Sequence, residues 1–176
     1  EMNRLGMMID ISHPSKDSIM QTLALSRAPV IASHSSARAL TDHSRNLDDE
    51  MLLALKDNGG VIQTVAFGTY VNELRRAHWA AGGSFADSPP ATVSDFVDHI
   101  DYMVNLIGVE HVGISSDFDG GGGLTGWGDA SETFNVTLEL VRRGYSEEEI
   151  GMMWSGNLLR VLDDVQRIAQ EIQSEA

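Results

Sequence analysis

The stretch Pro29–Asn46, PVIASHSSARALTDHSRN, decides how the chain is read. A short apolar run, PVIAS, leads to His34; small residues follow, then Arg38, and then Arg45-Asn46. Such a run reads as a buried strand of a parallel sheet, near residues 29–33. Parallel α/β folds carry their chemistry at the carboxyl ends of their strands, which is where His34 falls. Upstream, GMMIDISH closes on His13 in the same way, so 7–12 reads as another strand delivering an imidazole to the same rim.

Downstream, VIQTVAF at 61–67 follows the helix stop Gly59-Gly60. HVGISS at 111–116 runs into Asp117-Phe118-Asp119 and four glycines. Helices fill the intervals. One covers 15–26, opened by Pro14; another covers 48–58, capped by Asn46 or Asp48 with an acidic first turn. A long helix over 93–107 is capped by Thr92 and carries Phe96, Ile100, Met103, Val104 and Ile107 as an apolar stripe. Helices over 130–143, 146–153 (opened by the Ser146–Glu149 capping box) and 155–172 close the chain. The segment 68–91, with Tyr70, Trp79, Gly82-Gly83 and Pro89-Pro90, lacks a steady period and reads as an irregular excursion, a lid or a homodimer contact.

Alternating strands and helices predict an α/β fold with a parallel sheet. The 176 residues read as a single domain, 1–176. A complete (β/α)8 barrel takes roughly 250 residues. Four strands near 7–12, 29–33, 61–67 and 111–116 therefore fit the C-terminal half of a TIM-type barrel, with a small doubly wound sheet as the alternative. The opening EMNRLG reads as the last turn of a helix stopped by Gly6, so a preceding segment is expected.

Composition narrows the chemistry. A formal net charge of −14 argues against nucleic acid and anionic membranes as partners. The chain has no cysteine, so any metal is held by His, Asp, Glu or carbonyl oxygen. No apolar run approaches the roughly 18 residues of a spanning helix, and no signal peptide is visible; the compartment stays open, with the cytoplasm slightly favoured. His13 and His34 are candidate metal ligands, although a strand-end histidine also serves as a hydrogen-bonded structural residue. Asp117 is a candidate proton carrier beside a metal-bound water, or else a loop carboxylate or helix cap. The run Gly120–Gly123 lacks the features of a phosphate cradle and reads as a mobile loop. His99-Ile100-Asp101 lies in a helical stripe, where i and i+2 diverge, and is rejected as a ligand pair. His43, His78 and His111 take surface or structural roles by default.

Taken together, IDISH, PVIASHSSARAL, HSRNLDDEML, HVGISSDFDG and the late NLLRVL resemble the C-terminal half of the membrane dipeptidase (renal dipeptidase) family of zinc metallopeptidases. The resemblance runs from about residue 2 to residue 165 and implies a metal-dependent hydrolase barrel with two zinc ions per complete site, bridged by a water or hydroxide. It further implies that His13 and His34 bind the second zinc, that Arg45 and Tyr70 take the substrate carboxylate, and that Asp117 holds the amino group and carries a proton to the leaving amine. The family's remaining ligands, a His-x-Asp and a bridging Glu, are not in this sequence. A missing N-terminal half is therefore the expected partner, the dipeptide the expected substrate, and the isolated chain is expected to be inactive. Alternatives are a related amide or lactam hydrolase and a non-catalytic barrel remnant acting as a binding module.

Overall fold

In the computed structural model, which describes residues 1–84 and 86–175, three parallel strands carry the fold. They are β1 (Ile31–Ser35), β2 (Val61–Val65) and β3 (Val112–Ser115), in the order β1-β2-β3. Helices α1 (Met2–Leu5) and α2 (Lys16–Leu25) precede β1, and α3 (Asp49–Asp57) joins β1 to β2. Between β2 and β3 lie α4 (Gly68–Val71), α5 (Glu73–Ala80) and α6 (Val93–Ile107). After β3 come α7 (Thr133–Arg143), α8 (Glu147–Gly151) and α9 (Asn157–Ser174), the last two joined by a π-helical turn, Met152–Gly156. The predicted caps hold: Asp48 on α3, and reciprocal capping boxes at Thr92–Asp95 and Ser146–Glu149.

The expected strand near 7–12 shrinks to one parallel bridge, Asp10 with Ile31. Two ladder bonds form, Ile31 N–H to the Ile9 carbonyl and Ile11 N–H to the Ile31 carbonyl. The next donor in line, Ser33 N–H, turns instead to the Asp10 carboxylate at 3.0 Å. An aspartate side chain thus takes the place of a ladder carbonyl and stops the strand. The bridge lies on the side of β1 away from β2, so successive segments add in one direction, without the reversal that defines a doubly wound sheet.

The strand expected at 29–33 begins two residues later and contains a bulge. Ile31 and Ala32 oppose Val61 and Ile62, but Ser35 opposes Thr64, so β1 has one extra residue between Ala32 and Ser35. Ser33 and His34 are consecutive yet both half-buried, as expected where a bulge re-aims a side chain beside a site.

Alternation along the strands gives the sheet two apolar faces. Ala32 and Ile62 join a large core with Leu52 and Leu55 of α3 and Phe96, Ile100 and Met103 of α6. Their neighbours Ile31 and Val61 join a smaller cluster with Val161 and Val165 of α9. The segment 68–91 is more regular than expected, because Asn72 caps α5 by accepting from Arg75 N–H. The periodic signal was absent since α5 buries none of its residues. The helices expected at 146–153 and 155–172 run on through the π turn. Its wider winding fits the placement of Asn157, whose amide donates to the Val109 and Val112 carbonyls at 2.7 and 2.8 Å.

Candidate active site

The bulge and the self-terminated strand bring two imidazoles together. His13 Nε2 lies 2.9 Å from His34 Nε2. Behind His34 runs a short relay: Ser33 Oγ is 2.7 Å from His34 Nδ1 and donates to Asp10 Oδ2 at 2.5 Å. Since the hydroxyl proton goes to the carboxylate, Nδ1–H donates to Ser33 and the Nε2 lone pair faces the rim. Ser12 fixes the same residue from the other side, its hydroxyl accepting from His34 N–H at 2.9 Å.

The electrostatics favour the neutral ring that such a tautomer requires. Burial pushes the His34 pKa down, against the nearby Asp117 and Asp10 carboxylates, so the ring is neutral at pH 7. Burial pushes the Asp10 carboxyl up, but hydrogen bonds from Ser33 and Ser12 outweigh it and hold it below the usual carboxylate range.

Arg45 enters from the loop before α3. Its Nε donates to the Ser12 carbonyl at 3.0 Å, Nη1 to Tyr70 Oη at 3.4 Å, and the guanidinium stands 5.6 Å from the Tyr70 ring centroid. Nη2 is buried and has no hydrogen-bond partner among the described residues. A buried cationic donor without an acceptor is costly alone and favourable once an anion arrives.

Asp117 takes a left-handed backbone conformation (φ 52, ψ 30) directly after β3. The glycines that follow, where a mobile loop was expected, fold back against it. Gly120 N–H and Gly122 N–H both donate to the Asp117 carbonyl, and Gly123 N–H donates to the Ala66 carbonyl at 2.7 Å. A Cβ on Gly122 would stand 2.1 Å from the Ser116 carbonyl oxygen, so the wrap requires glycine there. Phe118 points the other way, edge-on to Trp127 at 5.5 Å, while Asp119 is exposed.

All five predicted site residues, His13, His34, Arg45, Tyr70 and Asp117, thus cluster at the carboxyl ends of the strands. Four supporting residues were missed: Asp10, Ser12, Ser33 and His43. His43 stacks on Tyr70 (4.2 Å, 33°) and its Nδ1 accepts Arg45 N–H at 3.1 Å; burial and the Arg45, Arg76 and Arg38 charges keep it neutral. Its position two residues before Arg45 was the available signal. His99, rejected as a ligand, is a structural residue: its Nδ1 accepts Ala37 N–H at 3.1 Å, and burial pushes its pKa down to about 4. Among the described residues no group of three or more His, Cys, Asp or Glu side chains could hold a metal, and no helix is long and apolar enough to cross a membrane.

A parallel α/β sheet thus brings two imidazoles, a guanidinium and a carboxylate to its carboxyl rim, a set suited to acid–base or metal-assisted chemistry. The comparisons make the assignment specific. The family described as membrane dipeptidase (peptidase family M19) matches residues 1–176, and the chain belongs to it. It is 40% identical over 173 residues to Dipeptidase aclJ of Aspergillus oryzae, covering 98% of this chain and 38% of that protein. Dipeptidase 3 of Rattus norvegicus is also 40% identical, over 97% of this chain and 32% of its own length. The probable dipeptidase PvdM from Pseudomonas aeruginosa superposes with a TM-score of 0.86 at 38% identity, over 95% of this chain and 52% of that one. A metallo peptidase from Rhodobacter sphaeroides, liganded with a phosphinate mimic of L-Ala-D-Ala, gives 0.81 at 27% identity, over 93% and 44%. The chain spans about a third to two fifths of these curated relatives and about half of these structures.

Proposed function

We propose that this chain is the C-terminal half of a zinc-dependent dipeptidase barrel, supplying two metal-binding imidazoles and the groups that hold both charged ends of a dipeptide. The observation that carries the reading is the His13–His34 pair, with Nε2 atoms 2.9 Å apart and the His34 tautomer set by Ser33 and Asp10. Metal-ligating histidines are oriented in this way through their other ring nitrogen. Two imidazoles fit part of a zinc site; a catalytic zinc takes three protein ligands, and the remaining ones belong to the N-terminal half of the barrel. That half would also pair the edge of the three-stranded sheet, whose sequential order suits a barrel sector.

Zinc, two ions per complete site, would supply Lewis acidity and a water of lowered pKa. The chain's own groups do the rest. Arg45 offers the buried Nη2, with Nη1 beside Tyr70 Oη, to the substrate carboxylate. Asp117, half-buried near His34, binds the substrate ammonium and passes a proton to the leaving amine. Anchoring both ends selects dipeptides over longer chains, and the isolated 176 residues, holding only part of the metal site, are inactive.

The test pairs activity with metal content. The zinc-loaded protein with its complete barrel should hydrolyse free dipeptides, and Arg45→Ala should raise KM for them but not for C-terminally amidated ones. His13→Ala and His34→Ala should each lower bound zinc, measured by elemental analysis. Failure to cleave any dipeptide in a broad panel overturns the reaction, and unchanged zinc content overturns the ligand assignment. The likeness to an amidohydrolase from Pseudomonas aeruginosa (TM-score 0.77, 26% identity) favours amide or lactam hydrolysis as the second reading.

A further inference from the structure

The loop between β1 and α3 that carries Arg45 is tied down through its backbone. Arg38 donates from Nε and Nη2 to the His43 and Ser44 carbonyls at 3.3 and 2.9 Å. Asn46 donates from its amide to the Thr41 and Tyr70 carbonyls at 3.0 and 2.8 Å, which joins the loop to α4. These bonds fix where the chain runs. They do not hold the Arg45 N–H or the face of the Tyr70 ring, and both of those meet one imidazole. His43 Nδ1 accepts the Arg45 N–H at 3.1 Å. The same ring lies against Tyr70, with centroids 4.2 Å apart and planes at 33°. Tyr70 in turn places its Oη 3.4 Å from Arg45 Nη1 and its ring 5.6 Å from the guanidinium. One side chain therefore touches both residues assigned to the substrate carboxylate, Arg45 through its backbone and Tyr70 through its ring.

The contact with Arg45 carries a condition. A backbone N–H can only donate, so Nδ1 must present its lone pair and Nε2 must carry the ring proton. A second proton would go to Nδ1. It would set one donor against another and place a positive charge beside a guanidinium. The surroundings favour the neutral ring at pH 7. Burial lowers its pKa, and the Arg45, Arg76 and Arg38 charges lower it further against Asp42. Those groups come from three elements. Arg38, Asp42 and Arg45 belong to the loop and Tyr70 to α4. Arg76 belongs to α5, beside Glu73, whose carboxylate accepts from Arg76 and from the Asp42 N–H.

We infer that His43 is a positioning residue for carboxylate recognition: its unprotonated Nδ1 and its ring face hold Arg45 and Tyr70 as one unit, and uptake of a proton uncouples them. This role rests on the dipeptidase reading and deepens it, because selection for a free C-terminus then depends on a third residue and on its protonation. The ring takes no part in bond cleavage, so its effect falls on KM for substrates with a C-terminal carboxylate. Asparagine at position 43 supplies a matched control. Its side-chain oxygen accepts the N–H two residues on, as in an Asx turn, yet it does not titrate. Phenylalanine keeps an aromatic face and has no acceptor.

The experiment compares the zinc-loaded, complete protein with its His43→Phe and His43→Asn variants on Ala-Ala and on C-terminally amidated Ala-Ala. The readout is the ratio of KM for the free acid to KM for the amide, in which changes at the metal centre cancel. At pH 7, His43→Phe should raise that ratio by about tenfold with a smaller change in kcat, and His43→Asn should bring it back to within about threefold of the wild type. Between pH 7 and pH 5 the wild-type ratio should climb by about twofold or more, while that of His43→Asn stays level. A ratio unmoved by His43→Phe, or a wild-type ratio as level with pH as that of His43→Asn, overturns the role. A second arm needs no substrate: hydrogen exchange of the Arg45 amide at pH 7, corrected for its intrinsic rate, is followed in the same three proteins. It should quicken by about tenfold in His43→Phe and hold in His43→Asn. That pattern without hydrolysis of any dipeptide supports the positioning role and sinks the peptidase reading alone. Exchange at Arg45 indifferent to residue 43 overturns the positioning role whatever the activity.

Discussion

Asp117 sits in a backbone region that non-glycine residues seldom occupy, and its neighbours show how it is kept there. Its carbonyl accepts from two glycine amides, its carboxylate packs over Gly120, and Phe118 anchors the chain against Trp127. A Cβ on Gly120 would come 2.3 Å from Asp117 Oδ1, and that carboxylate is the part free to give way. Gly120→Ala should therefore swing the carboxylate off the rim with little effect on the fold. We expect kcat/KM for a dipeptide to fall by about a hundredfold, since small displacements of a catalytic group cost that much. Unfolding free energy should change by less than about 1 kcal/mol, as for an exposed loop substitution. A parallel loss of stability in urea titrations would show instead that the glycine serves the fold. At this scale the sequence was informative about the groups at the rim and silent about what aims them. His13, His34 and Asp117 end apolar runs and so declare themselves. Asp10 and Ser33 lie inside those runs, where a polar residue reads as ordinary strand alternation, and only the three-dimensional path shows the carboxylate reaching across.

The elements that position the rim depend on departures from regular structure, and these were the least legible. The strands of β2 and β3 were visible as β-branched runs because both are buried on two faces. The segment 7–12 has the same apolar content yet forms one bridge, because a side chain intercepts the next ladder donor. The helix α5 was hidden for the opposite reason: with no buried residue, it imprints no apolar period. The π turn between α8 and α9 is a further departure, and Asn157 gives it a purpose. Its amide satisfies two backbone carbonyls, one of them on β3, from a side chain 3% exposed. Asn157→Ala would take a donor from the Val112 carbonyl and leave the Val109 carbonyl with only the Val112 N–H, a cost of about 1–3 kcal/mol. Urea denaturation of the variant measures it, and a loss below about 0.5 kcal/mol, typical of a neutral surface change, would show the two bonds to be incidental.

For the molecule as a whole, one buried histidine couples the site to solution pH. His99 on α6 is 1% exposed, and its Nδ1 holds the turn at Ala37 that leads from β1 toward Arg45. Its pKa is about 4 in the folded chain, against about 6.5 for an unburied histidine. Between those values the unfolded chain takes up a proton that the folded chain refuses. Stability present above pH 6.5 is therefore lost as pH falls toward 4, by about 3 kcal/mol in total. Urea midpoints at pH 7 and pH 5 should separate in the wild type by more than in His99→Gln; equal separations would remove His99 as the cause. The parallel pairing was legible, since alternating periods imply a parallel sheet, whereas closure into a barrel was not, because three strands with helices on both faces do not close. The bulge in β1 has a consequence for how activity is gained and lost in descent. His34 faces the rim because the strand is one residue longer than its partner at that place. A single-codon deletion of Ser33 would restore even pairing with β2 and shift His34 into the position that Ser33 now holds, away from its present place beside His13. Such a chain would retain nearly all its identity to its relatives yet lose the His13–His34 pairing, so two homologues can differ at this rim through length alone.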